Sequence, residues 1–452
     1  MRILQVVHSL PFLNQAGTEV YTYNLSQELS KRHEVHIFSR VCNTKQKEYE
    51  VTKQNMNGII VYLINNSFKN CNSFEMYYEN EAINKKFVEL LDEITPDVVH
   101  IQHLVFLSIG LIKMINNRGI PIVFTLHDYW LICPKWHVLK NGSTPCEKIF
   151  SGNFDRECLN CLSEILNIKK GAKRIYLLSK SLLPAFALRW LKNAYFLYAR
   201  KVHDNNIGIG KLKERSIRIK ALLNNIDLFI APSEYLKNKF IEFGISPGRT
   251  RLSRHGLNSD LFKGIQKVKA NKIRFAFIGT ILPAKGIHIL IESFNNINRA
   301  NAELNIYGRL YPYTGFEHYP PYLKKLVKNE NIKFMGEFNQ SEIVNIFSEI
   351  DILVVPSVWY ENSPLVIKEA FLSKTPVIAS RIGGIPELVT DGVNGLLFNP
   401  GDAGDLQRKI QYIIDNRDIL RKFSENIPKI KNIEDNAKEI EEIYVNLINK
   451  KY

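Results

Sequence analysis

The chain has 452 residues, 45% of them hydrophobic and 23% charged. It is long enough for two or three domains and too apolar to be largely disordered. Lysine and arginine exceed aspartate and glutamate by 15 charges, a balance compatible with an enzyme, a nucleic-acid-binding protein or a protein that meets an anionic membrane.

The first strand, Ile3 to Val7, is too short an apolar run for a signal peptide. No segment approaches the roughly 18 uncharged apolar residues that span a bilayer. We therefore expect a cytoplasmic protein, with a peripheral position on the inner face of the membrane as an extension of that expectation.

Short β-branched runs then alternate with helical patterns, which predicts a parallel sheet covered by helices on both faces. The predicted strands are Ile3 to Val7, Val35 to Phe38, Ile59 to Ile64, Val98 to Ile101, Ile120 to Leu126, Asp227 to Ala231 and Arg251 to His255. The predicted helices of this series are Glu19 to Ser30, Glu79 to Glu93 and Leu107 to Asn117.

The lysine-rich segment Lys263 to Lys272 has few apolar residues and is typical of an interdomain linker. A second alternating series follows it, with predicted strands at Ile273 to Ile278, Leu304 to Tyr307, Ile332 to Phe334, Ile352 to Val355 and Val377 to Ala379. We therefore expect an α/β protein with two Rossmann-like, doubly wound domains facing a cleft. The expected bounds are 1–262, with an insertion at about 131–225, then 263–433, and a helix at 434–452 that packs back on the first domain.

Open parallel sheets bind ligands beyond the carboxyl ends of their strands, so the loops there deserve inspection. After the strand ending at Val355, Ser363 is expected to cap a helix that has Pro364 in its first turn. The free amides of Asn362 to Val366 would form an anion site, and Glu361 and Glu369 would reach the cleft at different depths. A capped helix with two solvated glutamates is the competing interpretation.

A second loop runs from Phe277 to Gly286. Gly279 allows close backbone approach at the strand end, and Lys285 can balance a diphosphate. An ordinary surface lysine is the more common explanation of such a pattern taken alone.

Together with Arg381-Ile-Gly-Gly-Ile-Pro-Glu387 and Asp391-Gly-Val-Asn-Gly395, these two loops resemble the family 4 retaining glycosyltransferases, which have the GT-B fold. The resemblance is strongest over 273–398. It implies that Glu361 binds the transferred sugar, that Glu369 binds the nucleotide ribose and that Lys285 binds the donor phosphates. Asn362, Ser363 and Leu365 would complete the donor site with their helix-start amides.

The resemblance extends to two features of residues 1–260. Gly17, in a glycine-containing turn after the first strand, would bring backbone against the donor or acceptor, although such a glycine is commonly just a turn. His127, at the end of a later strand, would lie near the donor sugar, although a histidine there is often structural. The family commonly has Arg where this chain has Thr280, and we hypothesise that Arg309 compensates for it.

The expected reaction follows from this site. Loss of a sugar from a diphosphate needs cations and helix amides at the phosphates, with Glu361, His127 and Lys285 as the catalytic groups. The sequence has no Asp-x-Asp, so no metal ion or other cofactor is expected for catalysis. Retention of anomeric configuration is implied by the resemblance alone.

Four cysteines, Cys133, Cys146, Cys158 and Cys161, lie within one short segment, and the spacing looks like one found in a subset of the same transferases. They could hold a structural Zn²⁺ or remain free buried thiols in a reducing cytoplasm. Both interpretations stay open.

Residues 163–223 carry 14 lysines and arginines against three acidic residues, mixed with leucine and aromatic residues. This pattern fits either an interfacial helix pair on an anionic membrane or an ordinary insertion with a solvated basic face. The first interpretation favours a lipid-linked acceptor.

The predicted function is therefore transfer of a sugar from a UDP- or GDP-linked donor to a glycan or lipid-linked glycan, in cell-surface polysaccharide or glycolipid synthesis. The alternatives are another GT-B enzyme, such as a sugar epimerase or a glycogen-type synthase, or a basic membrane- or nucleic-acid-binding protein without catalysis. No nucleic-acid partner is expected, because the basic residues follow no recognised nucleic-acid module.

Overall fold

The structure, a computed structural model, describes residues 1–451 except 14–15, 141–143, 152–153, 164–207, 299 and 311–315. Elements are numbered in chain order over these residues. The strands are β1 (Arg2–Val7), β2 (Glu34–Val41), β3 (Val51–Met56), β4 (Ile59–Asn65), β5 (Val98–Ile101), β6 (Ile122–Thr125), β7 (Leu139–Lys140), β8 (Thr144–Pro145), β9 (Leu228–Ala231), β10 (Thr250–Leu252), β11 (Ile273–Ile278), β12 (Ala302–Tyr307), β13 (Ile332–Gly336), β14 (Ile352–Val355), β15 (Val377–Ser380) and β16 (Gly395–Phe398). The α-helices are α1 (Gly17–Ser30), α2 (Glu81–Ile94), α3 (Gly110–Asn116), α4 (Arg156–Ser163), α5 (Ile209–Leu223), α6 (Glu234–Phe243), α7 (Ile287–Phe294), α8 (Tyr319–Leu326), α9 (Ile343–Ser348), α10 (Leu365–Leu372), α11 (Ala403–Asp415), α12 (Ile419–Glu425) and α13 (Ile433–Lys451).

The first sheet has the order β10-β9-β6-β5-β1-β2-β4-β3, and every pairing is parallel except that of β3 with β4. Its central strands are buried on both faces, as the continuous apolar runs predict. Strand order reverses between β1 and β5, so the loops that follow these two strands diverge and leave a crevice at the carboxyl edge.

The second sheet has the order β13-β12-β11-β14-β15-β16, with all its strands parallel. Its reversal point lies between β11 and β14. The loop containing Lys285 follows β11 and the loop containing Glu361 follows β14, so the topology alone brings these two side chains to one crevice.

The helix α13 follows the second sheet in the chain but packs on the first. Ala437, Ile440 and Tyr444 of α13 join one core cluster with Leu25 of α1 and Ile3 of β1. The segment before the helix is tied to the same domain, because Leu257 and Asn432 form a parallel bridge.

The α/β architecture with two doubly wound sheets confirms the predicted fold class. Four of the described strands were not predicted. The edge strand β3 (Val51–Met56) is polar and largely exposed, so no apolar alternation marks it, and β16 (Gly395–Phe398) has only four residues. The strands β7 and β8 have two residues each, too few for a sequence pattern. The strand expected at Arg251 to His255 is shorter and begins one residue earlier, as β10.

Most of the basic stretch at 163–223 lies outside the described residues, so its interfacial interpretation stays a prediction. Within the part of the chain that the structure describes, no helix has both the length and the apolar character needed to cross a membrane.

Candidate functional site

An ion pair joins the two loops at the reversal point of the second sheet. Lys285 Nζ lies 2.6 Å from Glu361 Oε1, and the Ser357 hydroxyl donates to the same oxygen at 2.7 Å. The Glu361 side chain is 6% exposed and that of Lys285 is 29% exposed, so the ammonium reaches the cleft while the carboxylate is enclosed. The site therefore presents a cation to solvent above a fixed carboxylate.

Glycines allow these loops to approach each other. Gly286 has φ +71°, and a Cβ there would overlap the carbonyl oxygen of Pro356. Gly384 donates its N–H to Glu361 O at 2.6 Å, and a Cβ on Gly384 would overlap the carbonyl oxygen of Asn362. The Gly-Gly pair thus supports the Glu361 loop through backbone contact that a larger residue would block.

The helix α10 begins directly after this loop. Its N-cap is Pro364 and no side chain caps it, so the predicted Ser363 cap is wrong. The reason is local: Pro364 holds extended backbone at the cap position, one residue later than expected, and Ser363 Oγ is buried with no hydrogen-bond partner among the described residues. The Ile367 amide already donates to the Pro364 carbonyl oxygen at 3.2 Å, so the amides of Leu365 and Val366 are the ones without an acceptor in the helix, at its partially positive end.

Two neighbouring residues of α10, the buried Lys368 and the partly exposed Glu369, have strongly shifted pKa values. Gln340 donates to Glu369 Oε1 at 3.1 Å, and burial raises the pKa of Glu369 to about 7. Lys368 Nζ donates to the carbonyl oxygen of His255 at 3.0 Å, and burial lowers the pKa of Lys368 to about 7. Lys368 therefore joins α10 to the first domain, whereas Glu369 is hydrogen-bonded within the second domain.

His127 lies across the cleft, at the end of β6. Asn362 Nδ2 donates to the His127 carbonyl oxygen at 2.7 Å, and this bond connects the Glu361 loop with the first domain. His127 Nε2 is 2.8 Å from Gln102 Oε1. Burial, followed by the charge on His103, lowers the pKa of His127 well below its ordinary value, so the ring is neutral near pH 7.

Gly17 begins α1 and faces the start of α10. A Cβ on Gly17 would lie 3.6 Å from Leu365 Cδ1, so the two helix starts are neighbours across the cleft. Both belong to the predicted donor set, and the structure brings them together.

Gly279 and Arg309 belong to two adjacent strand ends. Gly279 ends β11 with φ +147°, and a Cβ on Gly308 would overlap the Gly279 carbonyl oxygen. Arg309 follows Gly308 directly and is exposed. The proposed substitute for the missing arginine at Thr280 therefore stands next to the phosphate loop in space.

Aromatic residues form a wall beside Lys285. Its Nζ lies 5.2 Å from the centre of the Trp359 ring, and the His137 ring meets Trp359 edge-on at 5.5 Å. Trp359 Nε1 is buried without a hydrogen-bond partner in the described residues. His137 belongs to the cysteine-containing segment, so this insertion of the first domain reaches the loop that carries Glu361.

The four cysteines line one cavity, which gives the predicted metal site a place in the fold. Burial raises the pKa of Cys133 to about 12 and that of Cys158 to about 11, so these groups are thiols near pH 7. Among the described residues, no three His, Cys, Asp or Glu side chains are arranged as metal ligands. The sulfur donor set suits Zn²⁺, and the zinc site stays a prediction.

The structure thus brings predicted residues of the two domains together, with Gly17 beside Leu365 and His127 beside Asn362. Sequence reasoning missed Ser357, Gln102 and Trp359. Ser357 ends the segment after a buried strand, a position that could have marked it. Gln102 and Trp359 carry no local signal, because their contacts come from other elements.

Two protein-family models match this chain. Residues 258–430 match the family model described as Glycosyl transferases group 1, and residues 16–160 match the model Glycosyltransferase Family 4. Together the two matches include Gly17, His127, Lys285, Glu361 and Glu369.

Among curated relatives, an uncharacterised glycosyltransferase of Methanocaldococcus jannaschii, MJ1178, is 31% identical over 210 residues, which is 46% of this chain and 55% of that protein. An uncharacterised 41.2 kDa protein in the cps region of Klebsiella pneumoniae is 26% identical, over 59% of this chain and 64% of its own length. The chain thus spans less than two thirds of the length of these relatives.

A solved structure, Anabaena Alr3699/HepE in complex with UDP and glucose, aligns with 98% of this chain and 99% of its own, with a TM-score of 0.64 at 17% identity. At this identity the likeness concerns the fold, which is GT-B. From the family matches and this architecture, the chain belongs to the group 1 glycosyltransferases.

Proposed function

We propose that the protein is a retaining glycosyltransferase, which moves a sugar from a nucleotide diphosphate sugar to an acceptor hydroxyl. The observation that carries the proposal is the 2.6 Å pair of Lys285 and Glu361 at the reversal point of the second sheet, connected to His127 through Asn362. This cluster has the three things the reaction requires: a cation, an acid and a facing polar wall.

The leaving diphosphate is the first requirement. Lys285 reaches the cleft, and the start of α10 offers backbone amides with partial positive charge. Both stabilise the negative charge that develops on the diphosphate as the bond to the sugar breaks. Arg309 adds a second cation from the end of β12.

The sugar and ribose are the second requirement. In this proposal Glu361, fixed by Ser357 and Lys285, accepts hydrogen bonds from sugar hydroxyls, and Glu369 accepts them from the ribose. His127 approaches the sugar from the first domain. The complex of HepE with UDP and glucose supports a UDP-linked donor, and a GDP-linked donor is the alternative.

In the reaction itself, the bond between the anomeric carbon and the diphosphate oxygen breaks and its electrons stay on the diphosphate. The acceptor oxygen bonds to the anomeric carbon on the same face. The acceptor proton passes to the departing phosphate oxygen, so no protein base is required, and the cation and helix amides take the place of a metal ion at the diphosphate. Lys285 and the amides of α10 act on the leaving group throughout.

The acceptor is proposed to be a glycan or lipid-linked glycan of the cell surface. The relative in the Klebsiella cps region supports this, as does the basic composition of 163–223, which suits an anionic membrane surface. The protein would then work at the cytoplasmic face.

The test begins with a thermal-shift panel of UDP-, GDP- and ADP-sugars, followed by an NMR assignment of the anomeric product formed with EDTA present. We expect stabilisation by one nucleotide class and a retained anomer. Lys285→Ala and Glu361→Ala should each lower kcat by about 10²- to 10³-fold with the fold intact. The control is Lys263→Ala, at an exposed lysine paired with nearby Asp260. Near-normal kcat in either site variant, or an inverted product, would contradict the proposal.

A further inference from the structure

A buried chain of hydrogen bonds connects α13 with the cleft. Gln5 Nε2 donates to the Tyr444 hydroxyl oxygen at 3.2 Å, and Gln102 Nε2 donates to Gln5 Oε1 at 3.0 Å. Gln102 Oε1 lies 2.8 Å from His127 Nε2. A carbonyl oxygen only accepts, so in this arrangement the proton of the His127 ring is on Nε2.

The chain continues on the other side of Tyr444. The Tyr444 hydroxyl is 2.6 Å from His100 Nδ1, and His100 Nε2 is 2.7 Å from Thr125 Oγ1. The hydroxyl accepts from Gln5 and can donate its one proton to His100 Nδ1, in which case His100 donates from Nε2 to Thr125. With this assignment, every hydrogen bond from His127 to Thr125 points in one direction.

The chain is closed to solvent between its ends. Gln5, His100, Gln102, Thr125 and Tyr444 are all 0% exposed. Burial lowers the pKa of His100 to about 3, so that ring stays neutral and must carry its one proton on a defined nitrogen. A buried polar group without a partner is costly, so the members constrain one another.

We propose that Tyr444 is a positioning residue, which holds His127 in its Nε2–H tautomer through Gln5 and Gln102. The unprotonated Nδ1 of His127 can then accept a hydrogen bond, and its partner would be a hydroxyl group of the donor sugar. The contact with the sugar rests on the proposed function, whereas the tautomer of His127 depends only on the hydrogen bonds within the protein.

The role requires the phenol oxygen rather than the ring. With phenylalanine at 444, the Gln5 amide loses its acceptor and is free to rotate by 180°. Rotation turns the Gln102 amide in sequence, so that Gln102 presents N–H to His127 Nε2. The ring must then carry its proton on Nδ1, and the cleft gains a donor where it had an acceptor.

The first experiment observes the tautomer directly in the full-length protein. Imidazole ¹⁵N shifts are recorded with ¹⁵N-histidine, and the His127 signals are assigned from their loss in His127→Asn. We expect the His127 ring to be in the Nε2–H tautomer in the wild type. In Tyr444→Phe we expect at least roughly a tenth of the population to be in the Nδ1–H tautomer. The matched control is Tyr78→Phe, because the Tyr78 hydroxyl is buried with no hydrogen-bond partner among the described residues. Nδ1–H in the wild type, or an unchanged tautomer in Tyr444→Phe, overturns the inference.

The second experiment is a double-mutant cycle in the transfer reaction. Tyr444→Phe should lower kcat about 10-fold with donor KM within about twofold, and it should have no further effect in a His127→Ala background. An undiminished effect in that background would mean that Tyr444 acts only on stability. If the wild type transfers no sugar at all, the proposed function fails, and the ¹⁵N result still decides the inference.

Discussion

At the scale of single residues, the cleft places two carboxylates in different electrical surroundings. Glu361 is enclosed and paired with a cation, whereas the partly exposed Glu369 has a neutral amide as its hydrogen-bond donor. Desolvation raises the pKa of Glu369 to about 7, although the hydrogen bond from Gln340 acts in the opposite direction. The second carboxylate is the one expected to titrate in the working range of the protein.

Nucleotide binding should depend on pH through Glu369. Ribose hydroxyls donate to the ionised carboxylate, so UDP affinity should rise from pH 6 to pH 8, by up to about 10-fold per pH unit below the pKa. The measurement is calorimetric titration of UDP across that range, with proton release read from buffers of different ionisation enthalpy. Glu369→Gln should flatten the profile, and a profile unchanged by this substitution would refute the assignment.

The same pKa affects folding with a defined sign. The carboxyl keeps its proton in the folded chain up to about pH 7, whereas an unfolded glutamate ionises near 4.5. Its contribution to the free energy of unfolding is therefore complete at acid pH and is lost as the pH rises towards 7.

Arg309 offers the second residue-scale prediction. If it compensates for Thr280, Arg309→Ala should weaken UDP binding and lower kcat by about 10-fold or more, because a cation near the leaving phosphates is removed. Arg408→Ala, at an exposed arginine of α11, is the control. Intact donor affinity and turnover in Arg309→Ala would show that the compensation hypothesis is wrong.

At the scale of elements, the loop between β14 and α10 owes its shape to a neighbouring loop. The Gly384 N–H donates to the Glu361 carbonyl oxygen, and the Asn362 carbonyl oxygen leaves no room for a side chain on Gly384. The function of this loop therefore depends on glycine residues about twenty positions away in the chain.

Gly384→Ala should move the Glu361 loop. We expect overpacking to lower the free energy of unfolding by about 1–3 kcal/mol. We also expect kcat/KM to fall at temperatures where the variant is still fully folded. Gly210→Ala, at a helical glycine with open space around it, should leave activity unchanged. Equal activity in the two variants, measured by initial rates, would mean that the loop tolerates the displacement.

The cysteine segment is the second element whose content can be tested. Zinc binding would draw the four sulfurs together and release their protons, and metal analysis of the purified protein should then find about one zinc or iron per chain. A Cys158→Ser, Cys161→Ser double variant should lose the metal, while Cys42→Ser should keep it. A substoichiometric content in the wild type would favour free thiols.

The sequence predicted the elements better than their contacts. Continuous apolar runs such as Ile273 to Ile278 identify buried parallel strands, and the topology of such strands brings the loops of Lys285 and Glu361 to one crevice. The Ser363 cap failed because the proline after it took the cap position. The partners of His127 could not be predicted, because Gln102 and Asn362 lie in loops that follow separate strands, and only the folded chain brings them near.

At the scale of the whole molecule, the two domains share one structural element. Asn436 of α13 is fully buried in the first domain, where its Oδ1 accepts from the Tyr21 hydroxyl and from Gly256 N–H, each at 3.0 Å. Its Nδ2 donates to Ser253 Oγ at 3.3 Å. The side chain thus holds three separate parts of the first domain.

Asn436→Ala should therefore be among the more damaging substitutions outside the cleft. Leaving these buried groups unpaired should lower the free energy of unfolding by about 2–4 kcal/mol, as measured by urea denaturation. Asn426→Ala, at an exposed position before α13, should change it by less than about 0.5 kcal/mol. A small effect of Asn436→Ala would mean that the apolar contacts of α13 suffice to hold it.

The docking of α13 also determines when the protein can fold during its synthesis. The apolar face formed by β1 and α1 is synthesised before the second domain, but Ile440 and Tyr444, which cover it, are made more than 400 residues later. The first domain must wait with that face open while the whole second domain is translated. A pause or truncation before α13 would consequently leave a nascent chain that needs chaperone protection.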